Sequence, residues 1–196
     1  MNDSLDAASW PVRTARLNLR RLEAEDAQAT WEYQKLPEVE RWITSGAQTF
    51  DEYLGQFMLA KRYAHDMAVE LNQANGESRL IGTVMLKVQD GWGQTEIADE
   101  ARAVEAEIGW SFDPSYGGQG YASEAVRSVV DLCFGPLGLR RVVAECFAAN
   151  EPSWRLMERI GMRREGYSVR SGLHRDGQWL DGMTYAVLAD EWPAKE

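Results

Sequence analysis

Apolar and polar residues alternate over residues 16–22, where Leu17 and Leu19 share one face and Leu22 follows after a slip; this predicts a first strand. Two short helical stretches are predicted next, at 26–36 and 37–43. Thr49-Phe50-Asp51-Glu52 then has the form of a capping box, with Thr49 at the N-cap and Glu52 at the third helical position. Behind it Phe50, Tyr53, Leu54, Phe57, Lys61 and Ala64 recur at helical spacing, so one face of that helix packs. Strands at 67–73 and 80–89 flank the turn signal Asn75-Gly76 and make a hairpin. The stretch 90–100, rich in glycine and acid, reads as a loop.

A strand over 103–112 follows, then a helix over 119–134 with Ala122, Ala125, Val126, Val129, Val130 and Cys133 on one face. A strand at 140–147 leads to a short helix at 150–160, stopped by Gly161. Two last strands, 162–171 and 179–188, surround the turn Arg175-Asp176-Gly177-Gln178. This order predicts an α/β fold: a mixed, mostly antiparallel central sheet flanked by helices, with one late βαβ crossover. With 196 residues and neither a repeat nor a long linker, the chain reads as a single domain, 1–196.

Composition narrows the function classes. Apolar residues make up 44% and charged residues 27%, which is globular rather than disordered. A formal charge of -10 argues against nucleic acid as a partner. Arg13, Arg16, Arg20 and Arg21 cluster, but Glu23, Glu25 and Asp26 follow at once, so the cluster reads as a solvated strand end. An acidic surface suits a cationic acceptor such as an amine. No apolar run approaches the roughly 18 residues of a membrane span. The N-terminus has no positive region followed by an apolar stretch, so no secretory signal is expected. Cys133 and Cys146 do not form a C-x-x-C pair, and they fit a reducing cytoplasm. His65 and His174 lack ligand spacing, so no metal is expected. The sequence leaves a homodimer open.

The chemistry concentrates where a strand ends at Phe112 and a helix opens at the glycines of Asp113-Pro114-Ser115-Tyr116-Gly117-Gly118-Gln119-Gly120-Tyr121-Ala122-Ser123. Small residues there let a phosphate approach free backbone N–H groups at a helix N-terminus, where the helix dipole favours an anion. The competing explanation is a tight turn that needs glycine for positive φ. No Gly-Lys-Ser/Thr follows, so this is not a P-loop. It nearly matches G-x-G-x-x-G, with Ser123 in place of the third glycine and Glu145 near the position of a ribose-binding acid. A dinucleotide fold, however, needs a repeated parallel unit. A second signal is Asn150-Glu151-Pro152-Ser153. Asn150 is a natural N-cap, and Ser153 shares a helix face with Leu156, Met157 and Ile160. Its hydroxyl must bond either a nearby backbone group or a bound cofactor.

Together, Gly118-Gln119-Gly120-Tyr121-Ala122-Ser123-Glu124-Ala125, Asn150-x-x-Ser153 and Glu158-Arg159-Ile160-Gly161-Met162 resemble the GNAT N-acetyltransferase superfamily. The opening Thr14-Ala15-Arg16-Leu17-Asn18-Leu19-Arg20, the segment Leu80-Ile81-Gly82-Thr83-Val84 and the ending Leu188-Ala189-Asp190-Glu191-Trp192 are similar to its ribosomal-protein-alanine (RimJ/RimL-like) branch. The resemblance implies acetyl-CoA as cosubstrate and an amine acceptor, a protein N-terminus or a small molecule. It implies that the backbone of Gly118, Gly120, Tyr121 and Ala122, within the loop Gly117-Gly118-Gln119-Gly120-Tyr121-Ala122, holds the CoA pyrophosphate. Gly117 stands where the family usually has Gln or Arg, which removes a side-chain contact and leaves the backbone cradle. Trp110 and Phe112 backbone groups, with Asn150, would hold the pantetheine arm, and Ser153 would lie near the thioester sulfur. Trp31, Tyr33 and Trp42 would line an acceptor pocket or pack in the core.

The reaction itself sets requirements. An α-amine (pKa ~8) or a lysine amine (~10.4) is mostly protonated at neutral pH, so a base must take the proton. Glu107 is the candidate, with Glu105 and Asp99 as alternatives and a plain strand carboxylate as the competing explanation. Ser153 could donate a hydrogen bond to the leaving thiolate, or Tyr167 or Tyr185 in its place. Backbone N–H near Trp110 would stabilise the oxyanion. The remaining alternatives are a dinucleotide-binding enzyme and a CoA-binding regulatory module without turnover.

Overall fold

In the computed structural model, which describes residues 4–59, 65–73 and 76–193, a two-residue strand that no alternation announces, β1 (Val12–Arg13), pairs antiparallel with β2 (Leu17–Arg21). The alternation in β2 works as read: Leu17 and Leu19 are fully buried on one face. A 3-10 turn over Ala24–Asp26 leads into α1 (Ala27–Gln34). Leu36 is extended before Pro37, as pre-proline residues prefer, which separates α1 from the one-turn α2 (Pro37–Glu40). Both helices are shorter than the stretches predicted for them.

Thr49 caps α3 (Phe50–Phe57), its Oγ1 accepting the Glu52 N–H at 3.2 Å. The return half of the capping box is displaced by one residue: the Glu52 carboxylate takes the Gln48 N–H at 2.8 Å. Lys61 and Ala64, expected on this helix, lie outside the described residues. Tyr53 and Phe57 bury against Leu22, Ala27 and Ala68, with the Trp31 ring tilted on Tyr53 at 5.1 Å between centroids. Trp31 and Tyr33 therefore pack, and Tyr33 is only 2% exposed. The hairpin is β3 (Asp66–Asn72) and β4 (Ser78–Gln89), turned through Gly76 at φ +83; Asn75 lies outside the described residues.

The stretch predicted as loop at 90–100 carries 3-10 turns over Thr95–Ala101, kinked at Ile97. Its spacing of small and acidic residues gives no helical period, so sequence reading missed them. β5 (Glu105–Phe112), α4 (Tyr121–Phe134) and β6 (Arg141–Phe147) form the parallel crossover. α5 (Glu151–Ile160) buries Leu156, Met157 and Ile160 and ends on Gly161 at φ +99, an αL stop. β7 (Arg163–Leu173) and β8 (Trp179–Leu188) pair antiparallel, and β8 also pairs antiparallel with β6.

The class is thus α/β, with a mixed, mostly antiparallel sheet flanked by helices. The chain groups into two compact units, Met1–Leu86 with Trp110–Val129 and Lys87–Gly109 with Val130–Glu196. Strand order is β1-β2-β3-β4 in the first and β5-β6-β8-β7 in the second. The arginine cluster of the first unit meets acids. Arg20 forks onto both Asp26 oxygens at 2.7 Å and reaches Glu70, and Arg21 reaches Asp6.

Candidate active site

In the first unit the loop after β5 is shaped by short local bonds. The Asp113 N–H donates to the Ile81 carbonyl at 2.9 Å, and Asp113 Oδ1 accepts from the Ser115 N–H and Oγ. A 3-10 turn over Pro114–Tyr116 follows, closed by the Gly117 N–H on the Pro114 carbonyl. The three glycines do different work. Gly118 and Gly120 have φ of +74 and +81, a region that side chains disfavour. Gly117 does not, but a Cβ there would sit 3.0 Å from the Pro114 oxygen. Nothing lies within 4 Å of a Cβ built on Gly118, so the loop leaves open space beside its backbone. The two explanations weighed from sequence are therefore not exclusive: a turn needing positive φ can also leave space beside its backbone.

The Glu124 N–H donates to the Gly120 carbonyl at 3.0 Å, which makes Gly120 the N-cap of α4. The Tyr121 and Ala122 N–H groups in that first turn have no helical acceptor by construction. Trp110 and Phe112 stand at the end of β5 before the loop, both half-buried. Phe112 fills the place of a side chain at Gly82, where a Cβ would come 2.3 Å from the ring. Between them Ser111 joins a buried polar group: its Oγ lies 3.1 Å from Thr83 Oγ1 and accepts from Gln34 Nε2 at 3.1 Å.

In the second unit, β5 alternates: Ala106 and Ile108 are buried, while Glu105 and Glu107 lie half-buried on the other face. The parallel register pairs Glu105–Glu107 with Arg141–Val143, whereas β5 runs on to Phe112 and β6 to Phe147. The three carboxylates weighed as base differ in their partners. Glu105 is paired with Arg140, and Asp99 with Arg102. Among the described residues Glu107 is in no ion pair, so it alone can meet an ammonium without first breaking one.

Asn150 does occupy the N-cap of α5, but its side chain makes no capping bond. Its φ of -86 and ψ of 70 lie outside the extended backbone typical of a cap. The amide is thus not spent on the helix. Ser153 has a partner that neither explanation weighed for it included, since its side chain hydrogen-bonds Cys146. Burial pushes the Cys146 thiol up to about 11, and the Ser153 hydrogen bond opposes that by favouring the thiolate. The Tyr185 hydroxyl is fully buried and donates to Glu158 at 2.9 Å, and burial followed by that bond pushes it up to about 12. Tyr167 donates to Asp181 at 2.5 Å, and that bond raises it as well. Both tyrosines are committed to carboxylates. Glu145, the expected ribose acid of a dinucleotide site, instead accepts from Thr184 on β8 at 3.3 Å.

His174 is 6% exposed, 2.9 Å from Asp176 and edge-on to Phe147. No group of three or more His, Cys, Asp or Glu among the described residues is placed to hold a metal. Within the described residues no helix is long and apolar enough to cross a membrane. Sequence reading missed two contacts: Ser153 with Cys146, and a group formed by Thr14, Arg16 and Glu124. The only sequence signal for the second was the opening Thr14-Ala15-Arg16 motif, and its partner lies 108 residues away.

Comparison with known proteins shows the family and the fold. Residues 16–163 match the family described as acetyltransferase (GNAT) domain. The uncharacterized N-acetyltransferase YnaD of Bacillus subtilis is 32% identical over 92% of this chain and 98% of its own. A crystal structure of a GNAT-family acetyltransferase from Bacillus anthracis superposes with a TM-score of 0.76 at 32% identity, covering 92% of this chain and 99% of that one. The RimJ protein of Mycobacterium smegmatis, solved in complex with CoA-disulfide, has the same fold, with a TM-score of 0.70 at 23% identity over 95% of this chain and 91% of that one.

Proposed function

We propose, because the chain belongs to the GNAT acetyltransferase family, that it transfers an acetyl group from acetyl-CoA to a primary amine by direct attack with general-base assistance. The observation that carries this is the pair of left-handed glycines, Gly118 and Gly120, opening α4, with empty space beside Gly118. Such a cradle fits a diphosphate, which needs backbone approach and free N–H groups more than side chains. In this reading the amides of Gly118, Gly120, Tyr121 and Ala122 hold the pyrophosphate, with Gly117 and Gln119 completing the loop. Backbone groups of Trp110 and Phe112, beyond the residues that pair with β6, hold the pantetheine arm as an added strand would. Asn150 supplies the side-chain amide that its own helix does not use.

Acetyl-CoA brings an activated thioester carbonyl. The chain's residues handle protons and charge around it. Glu107 takes a proton from the acceptor ammonium, freeing the nitrogen lone pair to attack the carbonyl carbon. A backbone N–H near Trp110 holds the charge that develops on oxygen. Ser153 donates to the departing sulfur, giving up its bond to Cys146 to do so. The acceptor is a protein N-terminus, as the RimJ-like resemblance suggests, or a small-molecule amine. Two free cysteines, one buried, support action in a reducing cytoplasm.

Thermal shift tests the donor. Acetyl-CoA at about 100 times its Kd is expected to add about 2.7 kcal/mol of stability. NAD and NADP are expected to leave the midpoint unmoved, and the reverse pattern would replace this reading with the dinucleotide one. Ser153→Ala is expected to lower kcat roughly tenfold or more while acetyl-CoA affinity holds, because a bond to a forming anion strengthens as charge develops. Equal loss in kcat and affinity, measured by steady-state kinetics and calorimetry, would make Ser153 a binding residue only.

A further inference from the structure

Thr14 and Arg16 belong to no step of this scheme, yet they are tied tightly to the glycine loop. Glu124, in the first turn of α4, is their hub. Its Oε1 accepts from Thr14 Oγ1 at 2.6 Å and from the Arg16 N–H at 3.0 Å. Its Oε2 accepts from Arg16 Nε and Nη2, both at 2.7 Å, a forked pair. The other arm of the guanidinium reaches the loop: Arg16 Nη1 donates to the Gln119 carbonyl at 2.9 Å. The guanidinium also lies over the Tyr121 ring, 4.4 Å from its centroid. Arg16 Nη2 would be 3.5 Å from a Cβ at Gly120. One side chain thus grips the loop, the helix and the strand end.

Glu124 would be a poor neighbour for a phosphate if left alone. Burial works against its charge, yet the bonds from Thr14 and Arg16 hold its carboxyl below the usual range, so it is ionised at neutral pH. An unpaired carboxylate in the first turn of α4 would repel an anion at that helix end. Arg16 cancels that charge and, through Gln119, fixes the carbonyl between the two left-handed glycines.

We infer that Thr14, Arg16 and Glu124 form a latch that holds the loop in its phosphate-binding shape, with Arg16 as a positioning residue for the acyl-CoA. The inference rests on the acetyl-CoA reading above. Arg16→Ala is expected to raise KM for acetyl-CoA roughly tenfold or more, the size expected for lost charge-assisted bonds, with kcat and the amine KM unchanged. Adding Glu124→Gln to that variant removes the stranded carboxylate, so the double variant is expected to recover part of the affinity. Arg16→Lys, which can pair with Glu124 but cannot fork, is expected to fall between the two. Hydrogen exchange in the ligand-free protein gives a readout independent of the donor. The Glu124 N–H, bonded to Gly120, is expected to exchange faster in Arg16→Ala than in the native chain. Unchanged exchange, or an acetyl-CoA KM within about twofold of native, a difference of about 0.4 kcal/mol, would overturn the latch. If exchange accelerates in a chain that binds no acetyl-CoA, the latch stands as a device of the loop while the donor assignment falls.

Discussion

Glu107→Gln is expected to lose roughly 100- to 10,000-fold in kcat at pH 7, the usual worth of general-base help, while still binding acetyl-CoA. Glutamine keeps the size and half-buried placement of the side chain but cannot accept a proton near neutrality. The acceptor then depends on the small fraction of amine already deprotonated in solution. With an amine pKa of ~8 for an N-terminus or ~10.4 for a lysine, that fraction grows with pH. Part of the rate should therefore return in alkaline buffer, and at lower pH for an N-terminal acceptor than for a lysine. The same assay on Glu105→Gln and Asp99→Asn separates the candidates. Their carboxylates are held by Arg140 and Arg102, so these variants are expected to keep most of kcat. Near-native kcat in Glu107→Gln, with chemistry limiting the rate, would remove Glu107 as the base.

Gly120→Val is expected to abolish acetyl-CoA binding in a chain that still folds. Gly120 sits at φ +81, where a β-branched residue is a strong outlier, and the loop is exposed, so the damage stays local. A valine would pull this backbone toward negative φ and turn the loop amides away from the ligand. A Cβ there would also touch the Arg16 guanidinium, at 3.5 Å. Gly118→Ala is the graded companion. Space there is open, so only the left-handed backbone is penalised, by roughly 1–2 kcal/mol. Circular dichroism confirms folding, and calorimetry reads affinity. Unchanged affinity in folded Gly120→Val would show that the cradle lies elsewhere.

Local patterns carried most of the fold. The leucines of β2, the Thr49 cap, the apolar face of α4 and the Gly161 stop each declare themselves within a few residues, and each forms where its pattern places it. The glycine loop was legible for the same reason. What stayed hidden depends on pairings that no local pattern announces, some of them distant in sequence. β1 is two residues long and exists only by pairing with β2. The Glu52 carboxylate chose the Gln48 amide because the chain entering α3 presents it, which no box pattern encodes. Asn150 takes the N-cap its type suggests, yet its side chain makes no capping bond. Ser153 found Cys146, and Arg16 found Glu124, across contacts that only the folded chain creates. The Tyr185 hydroxyl, a candidate donor on sequence, is buried and donates to Glu158.

Release of free CoA thiol from acetyl-CoA, followed with and without a panel of amines, tests the central claim most directly. The account predicts thiol release in proportion to enzyme that depends on an amine, with one acetylated amine formed per thiol and release suppressed in Glu107→Gln at neutral pH. Acetyl-CoA binding with no amine-dependent release across N-terminal peptides, amino acids, polyamines and aminoglycosides would contradict it, and would leave a module that binds CoA without turnover.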